Sequence, residues 1–415
     1  MGNSKQCTIM KTYNKLILIL FAALILTLPI FLLFPTRSNK VLKVAGFYES
    51  PFSSDAGFLL EALVKEYKTR YPKESIEFHQ EVTIDEYNEW ISAAILRGKE
   101  PDVFFMTSQL YSELYDKGIM KEIVVAKELE NFCNEKKIDA EFVKHAGYGE
   151  EIYAIPVAAD FTLMAVNKSL LRGYGIDKVN DAWEWSDYQR MCRAINKDNS
   201  KYGFDWEDAV YSNGGKVVDY LGREDYLNSL NVLNAINFVY RLNGGTSTKV
   251  TPRDFRGGKL VFEKLNATEC INMNFPSDEA DFLAMPAGPK GGNISKAECV
   301  YVCIGRHSNN VEKSKKFIDI VLSSKIQSEI VNSGYAMPVT KLSDDLISDE
   351  TVRKLCMLSD KVLPSAFIVH RFRDDKYIFD IIDKRIEDAI KSGVKLDNAL
   401  SELHIEISDF LSKRR

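Results

Sequence analysis

The stretch that decides the fold is YAIPVAADFTLMAVNKSLL, which runs from Tyr153 to Leu171. Its apolar residues predict two short strands rather than one, because proline has no backbone N–H to donate to a strand ladder. We therefore expect the first strand to end at Pro156 and a second strand to cover Leu163 to Val166. A strand pair joined in this way predicts a crossing between two lobes.

A single carboxylate interrupts this apolar stretch. Asp160 stands among Val157, Ala158, Ala159 and Phe161. A carboxylate that is buried without a partner costs several kcal/mol, so we expect Asp160 either to be exposed or to face a ligand. Asp160 is therefore the first candidate site residue.

Composition and charge limit the possible partners. The chain has 415 residues, of which 45% are hydrophobic and 27% charged, so it is long enough for two globular domains. The net charge is −5 and the isoelectric point is near 5.8. Because a nucleic-acid-binding protein normally carries a basic patch, these values argue against nucleic acid as a partner.

An apolar run near the start predicts a membrane segment. Residues Leu16 to Phe34 are apolar except for Thr27 and the helix-breaking Pro29, and as a helix they would be about 28 Å long. A cleaved secretion signal has a shorter apolar region and small residues at its cleavage site, whereas this run ends in LLFPTRSNK. We therefore favour an uncleaved transmembrane helix over a cleaved signal.

The sequence contains no motif for catalysis, metals or nucleotides. Its seven cysteines include no CxxC pair and are interpreted as buried apolar residues. GxSxG, P-loop and GxGxxG patterns are also missing from the sequence. We therefore predict no catalytic residue, no metal site and no cofactor.

Strands and helices alternate in the first third of the chain. The segments VLKVAGF (41–47), SIEFHQEV (75–82) and PDVFFM (101–106) predict strands separated by helices, which is typical of a mainly parallel α/β lobe. Ligands bind at the carboxyl ends of such strands. This rule selects Glu49 and Ser108 as candidate ligand-facing residues.

The segment SKYGFDWEDAVYSNGG (200–215) mixes aromatic and acidic side chains. Its members are Tyr202, Phe204, Asp205, Trp206, Glu207, Asp208 and Tyr211. Aromatic faces next to carboxylates suit a polyhydroxylated ligand. The alternative is a partly buried loop, because Trp and Tyr are also ordinary packing residues.

Five segments in order carry a family resemblance: residues 153–171, AWEWSDYQRM (182–191), FRGGKLVF (255–262), MPAGPKGG (285–292) and SKKFIDIVLSSKIQSEIVNSGYAMPV (314–339). Together they resemble the extracellular solute-binding proteins of ABC importers, family 1, the maltodextrin and sugar-binding type. The resemblance implies a two-lobed, periplasmic-binding-protein-like α/β fold of type II, in which each lobe is discontinuous.

The resemblance also sets the expected domains. Residues 1–40 would form a cytoplasmic tail and the membrane anchor or signal. Residues 41–155 plus 285–336 would form the first lobe, and residues 156–284 plus 337–415 the second. The apolar run predicts a location in the cell membrane with a single-pass anchor, and the resemblance implies that the C-terminal domain is extracellular.

The implied function is capture of a small solute, a sugar or oligosaccharide, in the cleft between the lobes and its delivery to an ABC permease. Asp160 stands where the family often places a carboxylate that binds sugar hydroxyls, and Trp206 and Tyr211 fall in the loop that supplies second-lobe contacts. The remaining candidates are chosen by loop position: Glu49, Ser108, Asn274, Tyr335 and Arg371.

Two features depart from the family pattern. The segment after FRGGK, NATECINMNF, has no tryptophan, so one stacking platform of the sugar binders is missing. An uncleaved anchor is also unusual, because family members are commonly lipoproteins. The anchor leaves open a sensory ectodomain that binds a solute for signalling. A carbohydrate-active enzyme is a weaker alternative, since Glu207 and Asp208 are adjacent and no spacing places two carboxyls across a bond.

Overall fold

The computed structural model describes residues 41–52, 57, 60–115, 117–124, 128–147, 152–195, 204–219, 222–242, 255, 257–273, 279–369 and 374–413. The predicted membrane segment lies outside these residues. Within them, no helix is both long enough and apolar enough to cross a membrane.

The described strands and helices alternate in the first third of the chain, and runs of helices follow β5, β8 and β9. In chain order they are β1 Leu42–Phe47, α1 Leu60–Arg70, β2 Ile76–Glu81, α2 Ile84–Leu96, β3 Val103–Thr107, α3 Ser108–Tyr115, β4 Met120–Lys121, α4 Leu129–Lys136, α5 Ala140–Ala146, β5 Ala154–Asn167, α6 Lys168–Gly173, α7 Trp185–Ile195, α8 Trp206–Ser212, α9 Leu230–Leu242, β6 Phe262–Asn266, α10 Ala267–Asn272, β7 Ala280–Leu283, β8 Lys296–Gly305, α11 Val311–Val321, α12 Ser324–Asn332, α13 Glu350–Val362, β9 Phe367–Ile368, α14 Asp375–Ser392 and α15 Leu396–Ser412.

The strands predicted in the first third of the chain are confirmed. β1 pairs in parallel with both β2 and β3, and helices separate the three strands along the chain. The strand order is β2-β1-β3-β8-β5-β6, in which β8 runs antiparallel to both of its neighbours. Thr83 and Glu86 form a capping box at the start of α2, each bonding the other's backbone N–H.

The prediction that a strand ends at Pro156 is wrong. β5 is one strand of 14 residues, all of them buried. Its pairing with β8 shifts register between Pro156 and Ala158, a bulge at which the missing proline N–H has little effect on the ladder. Between them, the carbonyl oxygen of Val157 accepts a hydrogen bond of 2.9 Å from Nε2 of Gln327. The bulge therefore accommodates the proline inside a continuous strand.

β5 exchanges its neighbours after Phe161. Residues 154–161 pair with β8, whereas residues 162–167 pair with β6 and β7. At the point of exchange Phe161 pairs with Ala297 of β8, and Ala297 pairs with Ile368 of β9. Three separate parts of the chain, β5, β8 and β9, therefore lie side by side where β5 changes its partners. We call these three strands the crossing segments.

Two hydrophobic cores lie on either side of this crossing. The first core takes its residues from 42–165, 255–273 and 297–368. The second core takes its residues from 164–239, 261–285 and 369–411. The two sets overlap within β5 because successive side chains of a strand point to opposite faces. Each core therefore combines distant parts of the sequence.

Candidate functional site

The short helix α8 begins with the tryptophan that the sequence selected. Asp205 caps the helix by accepting a hydrogen bond of 2.9 Å from the backbone N–H of Asp208. Trp206 is partly exposed, and its indole N–H donates to Asp383 Oδ1 at 2.7 Å. Its ring is stacked beside that of Phe379, with the centroids 6.0 Å apart. Two residues of α14 thus hold an aromatic ring in a fixed orientation near carboxylates.

Carboxylates of α8 and its cap meet two lysines from distant strands. Lys264 Nζ lies 3.1 Å from Asp205 Oδ2 and 3.8 Å from Asp208 Oδ2. Lys296 Nζ donates to Glu207 Oε2 at 2.9 Å. We call these five residues the α8 charge cluster.

The α8 charge cluster is close to neutral overall. Burial raises the pKa of Asp208 to about 7, and the negative charge of Asp205 adds to this rise. Burial acts in the same direction on Asp205, but the positive charges of Lys264 and Lys296 outweigh it and lower the pKa of that carboxyl. Two lysines therefore balance Asp205 and Glu207, while Asp208 can hold its proton near neutral pH.

One atom of the cluster is poorly satisfied. Asp208 is 1% exposed, and its Oδ1 accepts a hydrogen bond of 2.9 Å from the hydroxyl of Thr162. Its Oδ2 has no hydrogen-bond partner among the residues that the structure describes. Apart from the ion contact with Lys264 at 3.8 Å, this oxygen has capacity for a hydrogen bond from a buried water.

Asp160 is buried and bonded within the protein. It is 5% exposed, and its Oδ1 accepts from the backbone N–H groups of Phe161 at 3.0 Å and Thr268 at 3.1 Å. Its Oδ2 accepts from the hydroxyl of Thr268. Burial raises the pKa of Asp160 to about 7 despite these bonds. The expectation that Asp160 could be exposed is therefore wrong: Phe161 and Thr268 supply partners within the protein, and a contact between Asp160 and ligand stays a prediction.

The other candidates take different positions. Tyr211 lies on the same helix as Trp206 and is 3% exposed. Its ring stacks on that of Phe367, with the centroids 4.0 Å apart. Glu49 is exposed after β1 and accepts from the backbone N–H of Ile84 at 2.9 Å. Ser108 and Tyr335 are both buried, and the hydroxyl of Ser108 donates to the carbonyl of Cys299 at 3.2 Å.

Two candidates, Asn274 and Arg371, lie outside the described residues. Of the rest, the structure brings Trp206 and Tyr211 onto one helix. It buries both Ser108 and Tyr335 rather than placing them on a surface, and Tyr335 belongs to the first core. Binding by any of the eight candidates stays a prediction.

Sequence reasoning missed three residues near these positions. Lys264 and Lys296 complete the α8 charge cluster, but each lies more than fifty residues from its partner, and a lone lysine in a strand pattern gives no signal. Tyr48 is 53% exposed and directly precedes Glu49. An aromatic residue just beyond a predicted parallel strand was a signal that could have selected Tyr48.

Residues 54–328 match the family described as bacterial extracellular solute-binding protein. The chain belongs to this family. The galactooligosaccharide-binding protein of Bacillus subtilis (strain 168) is 27% identical to this solute-binding protein over 107 residues, which is 26% of the chain. The matched part spans 23% of that curated relative.

Solved structures show the fold of this solute-binding protein. The sugar-binding protein MalE from the phytopathogen Xanthomonas citri superposes with a TM-score of 0.72 at 14% identity, covering 90% of this chain and 98% of that one. The cyclic alpha-maltosyl-1,6-maltose binding protein from Arthrobacter globiformis gives 0.69 at 13% identity, with coverage of 90% and 100%. The fold is therefore the two-lobed, periplasmic-binding-protein-like α/β fold.

Proposed function

We propose that the chain captures a sugar or oligosaccharide between its lobes and delivers it to the permease of an ABC importer. The observation that carries this proposal is the start of α8, where the partly exposed ring of Trp206 stands beside the capping carboxylate of Asp205. Sugars present an apolar face to aromatic rings and hydroxyl groups to carboxylates. The sugar ligands in the names of the similar proteins support the same class.

The electrostatics of the site favour an uncharged ligand. In the α8 charge cluster the lysines offset the ionised carboxylates, so the cluster has no large net charge that a charged ligand would balance. The side chain of Asp205, which is 43% exposed, provides the carboxylate oxygens. These are hydrogen-bonding groups of the kind that a polyol uses.

We propose a binding role without catalysis. Glu207 uses Oε2 for Lys296 and Oε1 for the hydroxyl of Tyr211, which lies 3.2 Å away. Asp208 is tied to Thr162. Both carboxylates are therefore engaged in holding the helix, and neither is placed as one of a pair on opposite sides of a scissile bond.

The two hydrophobic cores support an assignment of the lobes. We propose that each lobe is discontinuous and that the chain changes lobe near residues 161, 296 and 367, where β5, β8 and β9 cross. These points differ from the expected boundaries at 155/156, 284/285 and 336/337, because residues 156–161 pair with β8 and Met337 forms a bridge with Ala159 in the first core. Buried side chains of residues 255–273 pack into the first core from the second lobe. Bending at these crossings would close the lobes on the ligand.

We propose that Leu16 to Phe34 anchors the protein in the cell membrane by a single pass, with the solute-binding domain outside. The support is the apolar length of the run. Full-length protein should stay in the membrane pellet after carbonate washing and become soluble after external protease treatment. Recovery of a soluble form that lacks residues 1–40 without protease would contradict the anchor.

The same anchor favours a second candidate function. A binding protein that stays tethered by a membrane helix could hand its signal to a membrane kinase instead of a permease. Co-purification from mildly solubilised membranes separates the two: permease subunits support import, and a histidine kinase supports sensing.

A thermal-shift screen tests the choice of ligand class. The full chain is held in a detergent without a sugar head group and is heated with maltose, mannotriose, galacto-oligosaccharides, polyols and a polyamine. A ligand at 100 times its Kd should add about 2.7 kcal/mol to the free energy of unfolding. At least one oligosaccharide should raise the Tm and be recovered intact. Stabilisation by no carbohydrate, or release of shorter sugars, would contradict the proposal.

A further inference from the structure

The helix α8 contacts each of the three crossing segments through a different residue. Asp208 Oδ1 accepts from the hydroxyl of Thr162 on β5 at 2.9 Å. Glu207 and Tyr211 contact the other two segments: Glu207 accepts from Lys296 Nζ on β8, and the ring of Tyr211 stacks on Phe367 of β9. One short helix of the second core is thus attached to all three segments that join the cores.

The crossing residues that α8 contacts are also bonded to one another. Lys296 pairs with Phe367 in the β8–β9 register. The backbone N–H of Lys296 donates to the hydroxyl oxygen of Thr162 at 3.1 Å. Thr162 therefore accepts from one crossing segment while it donates to α8, and these three residues form one connected contact surface.

The contacts are shielded from water. The side chains of Lys296 and Glu207 are 13% and 20% exposed, and Tyr211 is 3% exposed. An ion pair in such surroundings is screened much less than a surface pair. The planar stack of Tyr211 on Phe367, tilted by 13°, adds apolar contact on the same side of the helix. The link between Glu207 and Lys296 therefore resists separation more than an exposed pair would.

We propose that α8 is a clasp on the hinge, where the hinge is the three crossing segments and the clasp is α8 with its contacts to them. Glu207 and Lys296 are the positioning residues that restrict the angle between the two lobes. Glu207 joins two parts of the clasp because its second oxygen accepts from the hydroxyl of Tyr211. Trp206 begins the same helix, so a ligand that contacts its ring contacts α8, which is attached to every crossing segment. This inference rests on the two-lobed fold and not on the identity of the ligand.

The test measures the distance between the lobes in the absence of ligand. Nitroxide labels are attached to Leu96→Cys on α2 and Ile405→Cys on α15, whose parent side chains are 88% and 70% exposed. Cys356, which is only partly buried, is replaced by serine, and Cys7 likewise. Pulsed electron paramagnetic resonance of the full chain then gives the distribution of interlobe distances.

Lys296→Met should broaden this distribution, because it removes the charge that holds Glu207 while keeping a side chain of similar length. Lys296→Arg should restore a distribution close to that of the parent. The matched control is Arg385→Met, which breaks the 2.8 Å pair between Arg385 of α14 and Glu406 of α15, away from the crossing segments. It should leave the distribution unchanged.

Glu207→Gln gives a second test if Lys296→Met does not fold, since glutamine keeps the size of the side chain and can still accept from Tyr211. It should also broaden the distribution. Distributions equal to that of the parent in the folded variants would overturn the proposal. Equal broadening by Arg385→Met would also overturn it, because the effect would then reflect general loosening of the second lobe.

Discussion

The hydroxyl of Thr268 lies between two acceptors, the carboxylate of Asp160 and the backbone carbonyl of Phe52, which is 3.3 Å away. A hydroxyl has one proton and can donate to only one acceptor at a time. When Asp160 is ionised, Thr268 donates to it. When Asp160 is protonated, its own proton can bond the hydroxyl oxygen and release Thr268 to bond Phe52. The protonation state of Asp160 on β5 is thereby linked to the hydrogen bond between Thr268 and Phe52, which lies in the loop that follows β1.

Asp160→Asn should reduce the pH dependence of stability. Burial raises the pKa of Asp160 to about 7, whereas an unfolded chain has a value of about 3.9. The folded state therefore binds more protons between these values, and the free energy of unfolding decreases as the pH rises from about 4 to about 7. Asparagine mimics the protonated acid and should remove this part of the decrease. Urea unfolding at pH 5 and pH 8 measures the difference.

The control for this prediction is Asp160→Ala. It lacks both the titrating group and the acceptor for the N–H groups of Phe161 and Thr268, so it should be less stable than Asp160→Asn by roughly 2 kcal/mol at both pH values. Asp208 has a pKa raised in the same direction, so part of the decrease should persist in either variant. An unchanged pH dependence in Asp160→Asn would show that Asp160 is ionised throughout the range.

Trp206→Ala should weaken binding of the sugar that gives the largest thermal shift by about tenfold, or about 1.4 kcal/mol. The loss reflects the missing aromatic face at the start of α8. Trp206→Phe is the matched control, because it keeps a ring and loses the indole bond to Asp383. It should retain most of the affinity in isothermal titration calorimetry. Full affinity in Trp206→Ala would move the ligand away from α8.

Gly291→Ala should destabilise the fold, whereas Gly292→Ala should be tolerated. A Cβ on Gly291 would lie 2.2 Å from the carbonyl oxygen of Ser212 and 2.5 Å from the backbone nitrogen of Gly214. A Cβ on Gly292 would meet only Cγ1 of Ile294, at 3.8 Å. We expect a loss of at least about 2 kcal/mol for the first variant in chemical unfolding. Equal stabilities would mean that the loop after Met285 can shift away from α8.

Gln327→Leu should destabilise the first lobe. The side-chain amide of Gln327 donates to the carbonyls of Val157 and Val321 and accepts from the backbone N–H of Val339. Leucine fills a similar volume but leaves these buried groups unpaired, at a cost of roughly 3 kcal/mol.

The neighbouring Ser328→Ala provides the control for Gln327→Leu, because among the described residues the hydroxyl of Ser328 bonds the carbonyl of Lys325 within its own helix. It should change the free energy of unfolding by less than about 1 kcal/mol. A similar loss in the two variants would show that the bulge at Val157 does not need its amide partner.

Local sequence patterns predicted the strands and helices in the first third of the chain, because these elements depend on residues that are close together in the sequence. The parallel strands and the capping box of Thr83 and Glu86 depend on alternation and on a spacing of three residues. The break at Pro156 was predicted by an equally local rule and was wrong. A bulge opposite β8 and the amide of Gln327 make the proline tolerable, and both β8 and Gln327 lie over 140 residues away along the chain.

The same limit applies to the candidate site. The aromatic and acidic composition around Trp206 was visible in the sequence, and the helix places Trp206 and Tyr211 together. Lys264 and Lys296 were not visible as partners, since their approach to α8 depends on how β6 and β8 pack. Asp160 illustrates both sides: its isolation among apolar residues predicted a need for a partner, and the fold provided Thr268.

The sequence by itself therefore determined the class of the protein: an alternating α/β chain with the ordered segments of a solute-binding family and an apolar run long enough to span a membrane. Only the tertiary structure decided where the lobes meet, which strand carries through Pro156, and how Glu207, Asp208 and Tyr211 attach α8 to three crossing segments. The physical reason is the distance along the chain over which each interaction acts. Periodicity and capping act over a few residues, whereas ion pairs, bulges and stacking form between groups that folding alone brings together.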